Sequence, residues 1–471
     1  MKKKIYLLIV LVLFQCKYEP IEKNPNIQEQ PNILFFLVDD QRNDTISCAG
    51  HPIIQTPTLD FLATNGIRFI NTYVTSAICA ASRASILTGL YENKHNYTFG
   101  KPPLKTEFST SSYPYLLKKL GYKTGFIGKF GVKLEKRDSI INQLFDFYKP
   151  SPRNAPHFVT LEDGTKRHSA EICGDEAITF IKNQSTDTPF CLSISFNSVH
   201  AVDSDLTPGN KGHYPYPQSV ASLYENVEIP EPKLSDPQIY ENHPDFIKNS
   251  LNRERFFWRW DTKEKYQINM RAYYRMISGY DKVMERVINV LYEKGFDKNT
   301  IIIFSADNGY YMGNRGFAGK WTHYEESLRV PLIIYDPRKP KKDTHLTSDK
   351  IALNIDIAPT ILDYVGLTPP NGYQGQSLLP LINNQNPTTW REDFICEHRM
   401  NHPKIPKYVG VHGKRYVYAN YYEQNPPYEY LHDLAIDPNQ LKNLVERADY
   451  QEILKKIRAK NVRQIKRVGK N

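Results

Sequence analysis

Two acidic segments with a cysteine between them stand out in this chain of 471 residues. The apolar run from Ile33 to Val38 ends in Asp39-Asp40, and Ile301-Ile302-Ile303-Phe304 leads in the same way into Ser305-Ala306-Asp307-Asn308-Gly309. Such side chains are hard oxygen donors, the kind that hold a divalent cation. A single Asp-Asp would be read as a strand-end turn or a helix cap, but two such ends in one chain outweigh that. Between them lies Cys79-Ala80-Ala81-Ser82-Arg83-Ala84-Ser85-Ile86-Leu87-Thr88-Gly89. A free cysteine is most often a small buried apolar residue; the arginine and the Leu-Thr-Gly that follow Cys79 set it apart. Five cysteines remain after Cys16 (Cys48, Cys79, Cys173, Cys191 and Cys396), an odd number with no CxxC pair, which excludes a disulfide framework and a zinc cluster.

The elements that must position these groups follow from periodicity. Unbroken apolar runs are the pattern of parallel strands buried on both faces, and ligands bind at the carboxyl ends of such strands in open α/β sheets. Further strands are expected from Thr124 to Ile127, Phe190 to Phe196 and Val330 to Ile334, with helices from Tyr113 to Leu120, Gly174 to Lys182 and Arg271 to Tyr292. Strands alternating with helices predict an α/β, doubly wound sheet. From Asp203 to about Asp261 the chain is rich in Pro, Asn, Tyr and charge without clear periodicity, and is read as an insertion carrying substrate-facing loops. Past Gly375 short aromatic strands are expected at Lys414 to Tyr421 and Glu429 to Leu431, then a basic helix from about Tyr450. The division expected is a leader over 1–16, a linker over 17–30, a main domain over 31–375 and a small α+β subdomain over 376–471. No internal repeat is present.

The Cys79 segment resembles the signature of the type I sulfatases, Cys-x-Pro-Ser-Arg followed by Leu-Thr-Gly, with Ala81 in place of the usual Pro. The resemblance runs from about Pro31 to Leu444, taking in Asn354-Ile355-Asp356-Ile357-Ala358-Pro359-Thr360 and Tyr430-Leu431-His432-Asp433-Leu434. It implies an alkaline-phosphatase-like fold and a sulfuric ester hydrolase, a bacterial polysaccharide sulfatase. It also implies that Cys79 is converted to formylglycine by a maturation enzyme. The hydrated aldehyde has one hydroxyl to attack sulfur and a second that expels sulfate as the aldehyde re-forms, an exit a serine lacks. Asp39, Asp40, Asp307 and Asn308, with the side chain of residue 79, match the family's cation positions, and their oxygen donors suit Ca²⁺. Lys129, in Gly128-Lys129-Phe130-Gly131, and Lys320, ahead of Tyr324-Glu325-Glu326-Ser327, match its two sulfate-binding lysines, and Arg83 belongs to the signature itself. His200, closing Phe196-Asn197-Ser198-Val199-His200, is the expected general acid for the leaving alkoxide. Where the family carries a histidine two residues after its first lysine this chain has Gly131; His95 and His323 are the candidates to replace it.

Composition adds the setting. Met1-Lys2-Lys3-Lys4 and the apolar run from Ile5 to Phe14 read as a signal segment too short to span a bilayer, and Leu13-Phe14-Gln15-Cys16 resembles a lipoprotein signal with Cys16 lipidated. An exported protein of a bacterial cell envelope, lipid-anchored at its membrane, is therefore expected. The net charge is +10, with a cluster of seven basic residues from Lys455 to Arg467 read as a solvated helix face. The positive field suits a sulfated oligo- or polysaccharide, such as ulvan or a glycosaminoglycan, as partner and does not call for nucleic acid. The alternatives are a catalytically silent glycan-binding lipoprotein, with Gly131 and Ala81 as its signs, and a phosphoester or phosphonate hydrolase of the same superfamily.

Overall fold

The computed structural model describes residues 30–152, 156–204, 213–340, 346–385 and 387–469. The expected signal segment, Cys16 and nearly all of the linker lie outside the described residues.

Eight strands form the central sheet: β1 (Asn32–Val38), β2 (Ile67–Phe69), β3 (Lys123–Gly128), β4 (Phe147–Pro150), β5 (Phe190–Ser195), β6 (Thr300–Ala306), β7 (Leu332–Tyr335) and β8 (Leu346–Ser348). They lie in the order β8-β2-β7-β6-β1-β5-β3-β4. β1 is parallel to both β5 and β6, and β3 is parallel to β4 and β5, while β7 runs antiparallel between β6 and β2. The sheet is therefore mostly parallel, as expected.

The apolar run in β1 is explained by burial on both faces. Leu34, Phe36 and Val38 join one apolar cluster, and Ile33, Phe35 and Leu37 the other. The first cluster is completed by helices Ser169–Lys182 and Lys263–Lys294, the second by Cys79–Thr88, Tyr113–Lys119 and Ile357–Tyr364. Both long helices begin earlier than the apolar spacing predicts, because their first turns carry polar and charged residues such as Glu171, Lys263 and Glu264.

A four-stranded antiparallel sheet, β9 (Asp393–His398), β10 (Tyr408–Gly413), β11 (Tyr416–Tyr421) and β12 (Tyr428–Asp433), packs with the basic helix Gln451–Gly469. Only its last two strands were expected from the sequence. The third starts at Tyr416 because Lys414 and Arg415 form its turn. The expected break at residue 376 also moves: Leu378, Leu381 and Ile382 are buried in the main domain's core, so the small sheet starts at Asp393. The 203–261 segment is not only loop, since it holds helices Pro237–Glu241, Asp245–Lys248 and Leu251–Arg259.

Candidate active site

Register brings the first groups together. Val38 pairs with Ala306, so Asp39 and Asp307 emerge side by side, and Gly128 pairs with Ser195, so Lys129 emerges next to them. The backbone continues the ladder past the strands: Asp307 N–H donates to Val38, Lys129 N–H to Ser195 and Asp39 N–H to Ser198. Asp40 turns into left-handed backbone at φ 54°, uncommon for a residue with a side chain.

Cys79 is the first residue of helix Cys79–Thr88, whose ten residues are all buried. Gly89 ends that helix at φ 68°, and a Cβ there would sit 2.7 Å from the Tyr373 ring. Within this frame Arg83 ties the strand ends together: Nε donates to Asp307 at 2.8 Å and Nη2 to Asp39 at 3.1 Å, while Nη1 reaches the Lys129 carbonyl and Ser195 Oγ, both at 2.5 Å.

Two lysines complete the centre. Lys320 Nζ lies 2.8 Å from Cys79 Sγ and pairs with Asp40; Lys129 pairs with Asp39. The Cys79 sulfur also lies 3.3 Å from Asp39 Oδ1. Three buried carboxylates thus face three cations. Burial alone would raise the pKa of Asp39, but Lys129 and Arg83 more than offset it and hold the acid well below its usual range. Lys129 and Lys320 are shifted up in spite of burial, by Asp39 and Asp40 respectively, so both stay charged. Burial, reinforced by Asp39, pushes the Cys79 thiol up despite the nearby Lys320. As a thiol, Cys79 is therefore a poor nucleophile at neutral pH.

The carboxylates of Asp39, Asp40 and Asp307 and the Cys79 sulfur each place an atom within 4.8 Å of the others. Asn308 donates from Nδ2 to Asp40 at 2.6 Å, while its buried Oδ1 has no hydrogen-bond partner among the described residues. A buried acceptor left open among carboxylates is costly unless something fills it. This donor set fits a hard divalent cation.

His200 stands at the rim, with its side chain one-fifth exposed. Its Nδ1 donates to the Ala201 carbonyl at 2.7 Å, leaving Nε2 3.7 Å from Asp40 and 3.8 Å from Asp203. Asp203 escaped the sequence reading. It is gripped by Arg255 at 2.6 Å and Arg259 at 3.0 Å, and its spacing of three residues from His200 was the only local signal.

All nine residues singled out from the sequence therefore converge here, whereas His95 and His323 do not. His95 is committed to Ser85 Oγ at 3.0 Å and the Tyr97 N–H at 3.0 Å. His323 is stacked among aromatic residues, bonded to Tyr421 and His432. Neither stands in for the missing histidine. Gly131 has its own reason: at φ 71° its Cβ would lie 2.6 Å from Arg83 Cδ, so glycine leaves room for the arginine that spans Asp39 and Asp307.

Residues 31–367 match the family model described as sulfatase. The chain belongs to the sulfatase family. It is accordingly a sulfuric ester hydrolase, and residues 313–467 also match the model described as N-sulphoglucosamine sulphohydrolase, C-terminal. An N-acetylglucosamine-6-O-sulfatase of Bacteroides thetaiotaomicron is 28% identical over 496 residues, covering 92% of this sulfatase and 86% of the relative. An ulvan-active sulfatase of Formosa agariphila is 28% identical over 471 residues, with 93% and 80% covered. A protein solved in complex with its substrate D-glucosamine-2-N,6-O-disulfate superposes with a TM-score of 0.78 at 24% identity, over 94% of this chain and 99% of that one. A phosphonate monoester hydrolase from Silicibacter pomeroyi shares the fold at a TM-score of 0.75 and 20% identity, over 93% and 96%.

Proposed function

We propose that this sulfatase removes sulfate from a sulfated carbohydrate, with formylglycine at position 79 and one Ca²⁺ held by Asp39, Asp40, Asp307, Asn308 and residue 79. The observation that carries the reading is the charge balance around Cys79. Three carboxylates already matched by Arg83, Lys129 and Lys320 would be left with a surplus of positive charge once a divalent cation is added, and an anionic sulfate ester supplies the missing negative charge. The relatives named for N-acetylglucosamine-6-O-sulfate and ulvan support a sugar as the rest of the substrate.

When bound, the cation would polarise sulfate oxygens and neutralise charge gathering on them. Formylglycine would supply a hydroxyl nucleophile in place of a thiol that burial keeps protonated. The chain's own residues do the remaining work. Arg83 fixes Asp39 and Asp307 in register, Lys320 points its ammonium at the position 79 side chain, and Lys129 holds charge on the opposite side of Asp39. With Nδ1 held by the Ala201 carbonyl, His200 has Nε2, beside Asp40 and Asp203, to hand a proton to the departing sugar oxygen.

We also propose that the enzyme is exported and anchored through Cys16, on the charged and apolar residues that precede it. Mass spectrometry of the tryptic peptide spanning Cys79, from protein made in its native host, should show an aldehyde in place of the thiol. The same preparation should release sulfate from sulfated sugars. A fully retained thiol in an active preparation would sink the formylglycine mechanism; failure to act on any sugar sulfate would sink the carbohydrate reading.

A further inference from the structure

The basic C-terminal helix does more than face solvent. Its charges fall into a pattern: Lys456, Lys460, Arg463 and Arg467 are spaced by four, three and four residues, which puts them in one row along the helix for about 16 Å. Lys456, Arg463 and Arg467 are exposed and make no ion pair among the described residues, whereas Lys460 is anchored to Asp393. Most of the large apolar residues of the helix are used in packing: Leu454 and Ile457 are buried with Val411, Tyr418 and Leu431 of the small sheet and Val468 is buried too, while Val462 is exposed.

The row opens into a groove of about 370 Å³ between the helix and the turn joining β10 to β11. Val411, Ile453 and Ile457 give it an apolar lining and Tyr416 adds a ring; of the four cations around it Lys414 pairs with Glu392, Lys460 with Asp393 and Arg415 with Asp433, which leaves Lys456 without an ion pair among the described residues. At its other end the helix meets the catalytic domain: Gln374 Nε2 donates to the Val468 carbonyl at 2.8 Å, and a Cβ on Gly469 would touch Asn93.

We infer that this groove and cationic row form a second binding site, outside the active centre, for the anionic chain of a sulfated polysaccharide. The inference rests on the carbohydrate reading above for the identity of the polyanion. The groove is of the size that holds a small ligand such as one sugar ring, and the row beyond it meets negative groups repeated along a chain. A flat anionic bilayer would use the row but not the groove, and the helix offers it one exposed valine, Val462, rather than an apolar face to insert. Held there, a polymer raises the local concentration of its ends at the catalytic mouth without any new contact to the sulfur.

The test uses the full-length protein on immobilised heparin and immobilised ulvan, eluted by a salt gradient. The variant Lys456→Gln/Arg463→Gln/Arg467→Gln removes three exposed cations that make no ion pair among the described residues. It should elute from at least one matrix at clearly lower salt than the wild type, with affinity reduced roughly tenfold at low salt, because polyanion binding scales with the counterions released. Turnover of 4-nitrophenyl sulfate should stay unchanged.

A control of equal charge, Lys119→Gln/Lys123→Gln/Lys133→Gln, neutralises exposed lysines on the main domain and should elute near the wild type. The inference is overturned if the wild type passes both columns unretained, if the helix variant elutes with the wild type, or if the control shifts as far. It is also overturned if the helix variant loses binding to phosphatidylserine vesicles and keeps its retention on both glycans. A wild type retained on the columns but inactive on every sulfated sugar would instead count against the proposed function alone.

Discussion

His200→Ala separates the proposed general acid from every other group at the site, because its effect depends on the leaving group. The imidazole makes one short hydrogen bond, from Nδ1 to the Ala201 carbonyl at 2.7 Å, and Nε2 stands 3.7 Å from Asp40, beyond hydrogen-bond reach. Removing it therefore leaves Asp40 with Lys320 and Asn308, and leaves Arg83 across Asp39 and Asp307. What is lost is the proton for the departing oxygen. A positioned acid contributes about 10²–10⁴ in rate, equivalent to roughly 3–5.5 kcal/mol of barrier. A sugar alkoxide should lose that full amount, whereas 4-nitrophenolate, which leaves without a proton, should lose less than about threefold. The assay is kcat/KM for wild type and variant on N-acetylglucosamine-6-sulfate and on 4-nitrophenyl sulfate, with sulfate released as the common readout. Equal losses on the two substrates would refute the assignment and make His200 a binding or structural residue.

Other consequences are open to measurement. Arg83→Leu strands two buried carboxylates, and breaking a buried ion pair from one side should cost about 3–5 kcal/mol; urea unfolding that moves by less than 1 kcal/mol would contradict the bracing role. Burial and the neighbouring Glu397 raise the Glu92 carboxyl to about 8, so the folded state keeps a proton that the unfolded state has released. Stability should therefore fall as pH rises from about 4.5 to about 8, by on the order of a few kcal/mol. Glu92→Gln should flatten that decline and raise Tm at pH 8, and an unchanged slope would show that Glu92 ionises normally. If the open Asn308 oxygen and its carboxylate neighbours hold Ca²⁺, adding Ca²⁺ to chelator-treated protein should raise Tm and restore activity. Asn308→Ala should need more Ca²⁺ for the same gain; a Tm indifferent to Ca²⁺ in the wild type would dismiss the site.

Much of this protein is local in origin. The continuous apolar runs of β1 and β6 are dictated by burial on two faces, so both strands, and the acids at their ends, were legible from residue order alone. The Cys79 segment was legible through its resemblance to the sulfatase signature, whereas its helix, with every residue buried, is a finding of the structure.

What the sequence could not convey depends on distance across the fold. The antiparallel setting of β7 is fixed by pairing with β2, where Ile333 meets Arg68 from the far end of the domain, and the first two strands of the small sheet are fixed by pairing with each other. The meaning of Gly131 appears only when Arg83, 48 positions away, is seen to occupy the space its side chain would take. Asp203 looked like an ordinary loop acid until Arg255 and Arg259 closed on it. Backbone propensity and burial pattern are properties of a segment, whereas steric exclusion and ion pairing belong to whichever segments tertiary packing brings within a few ångströms.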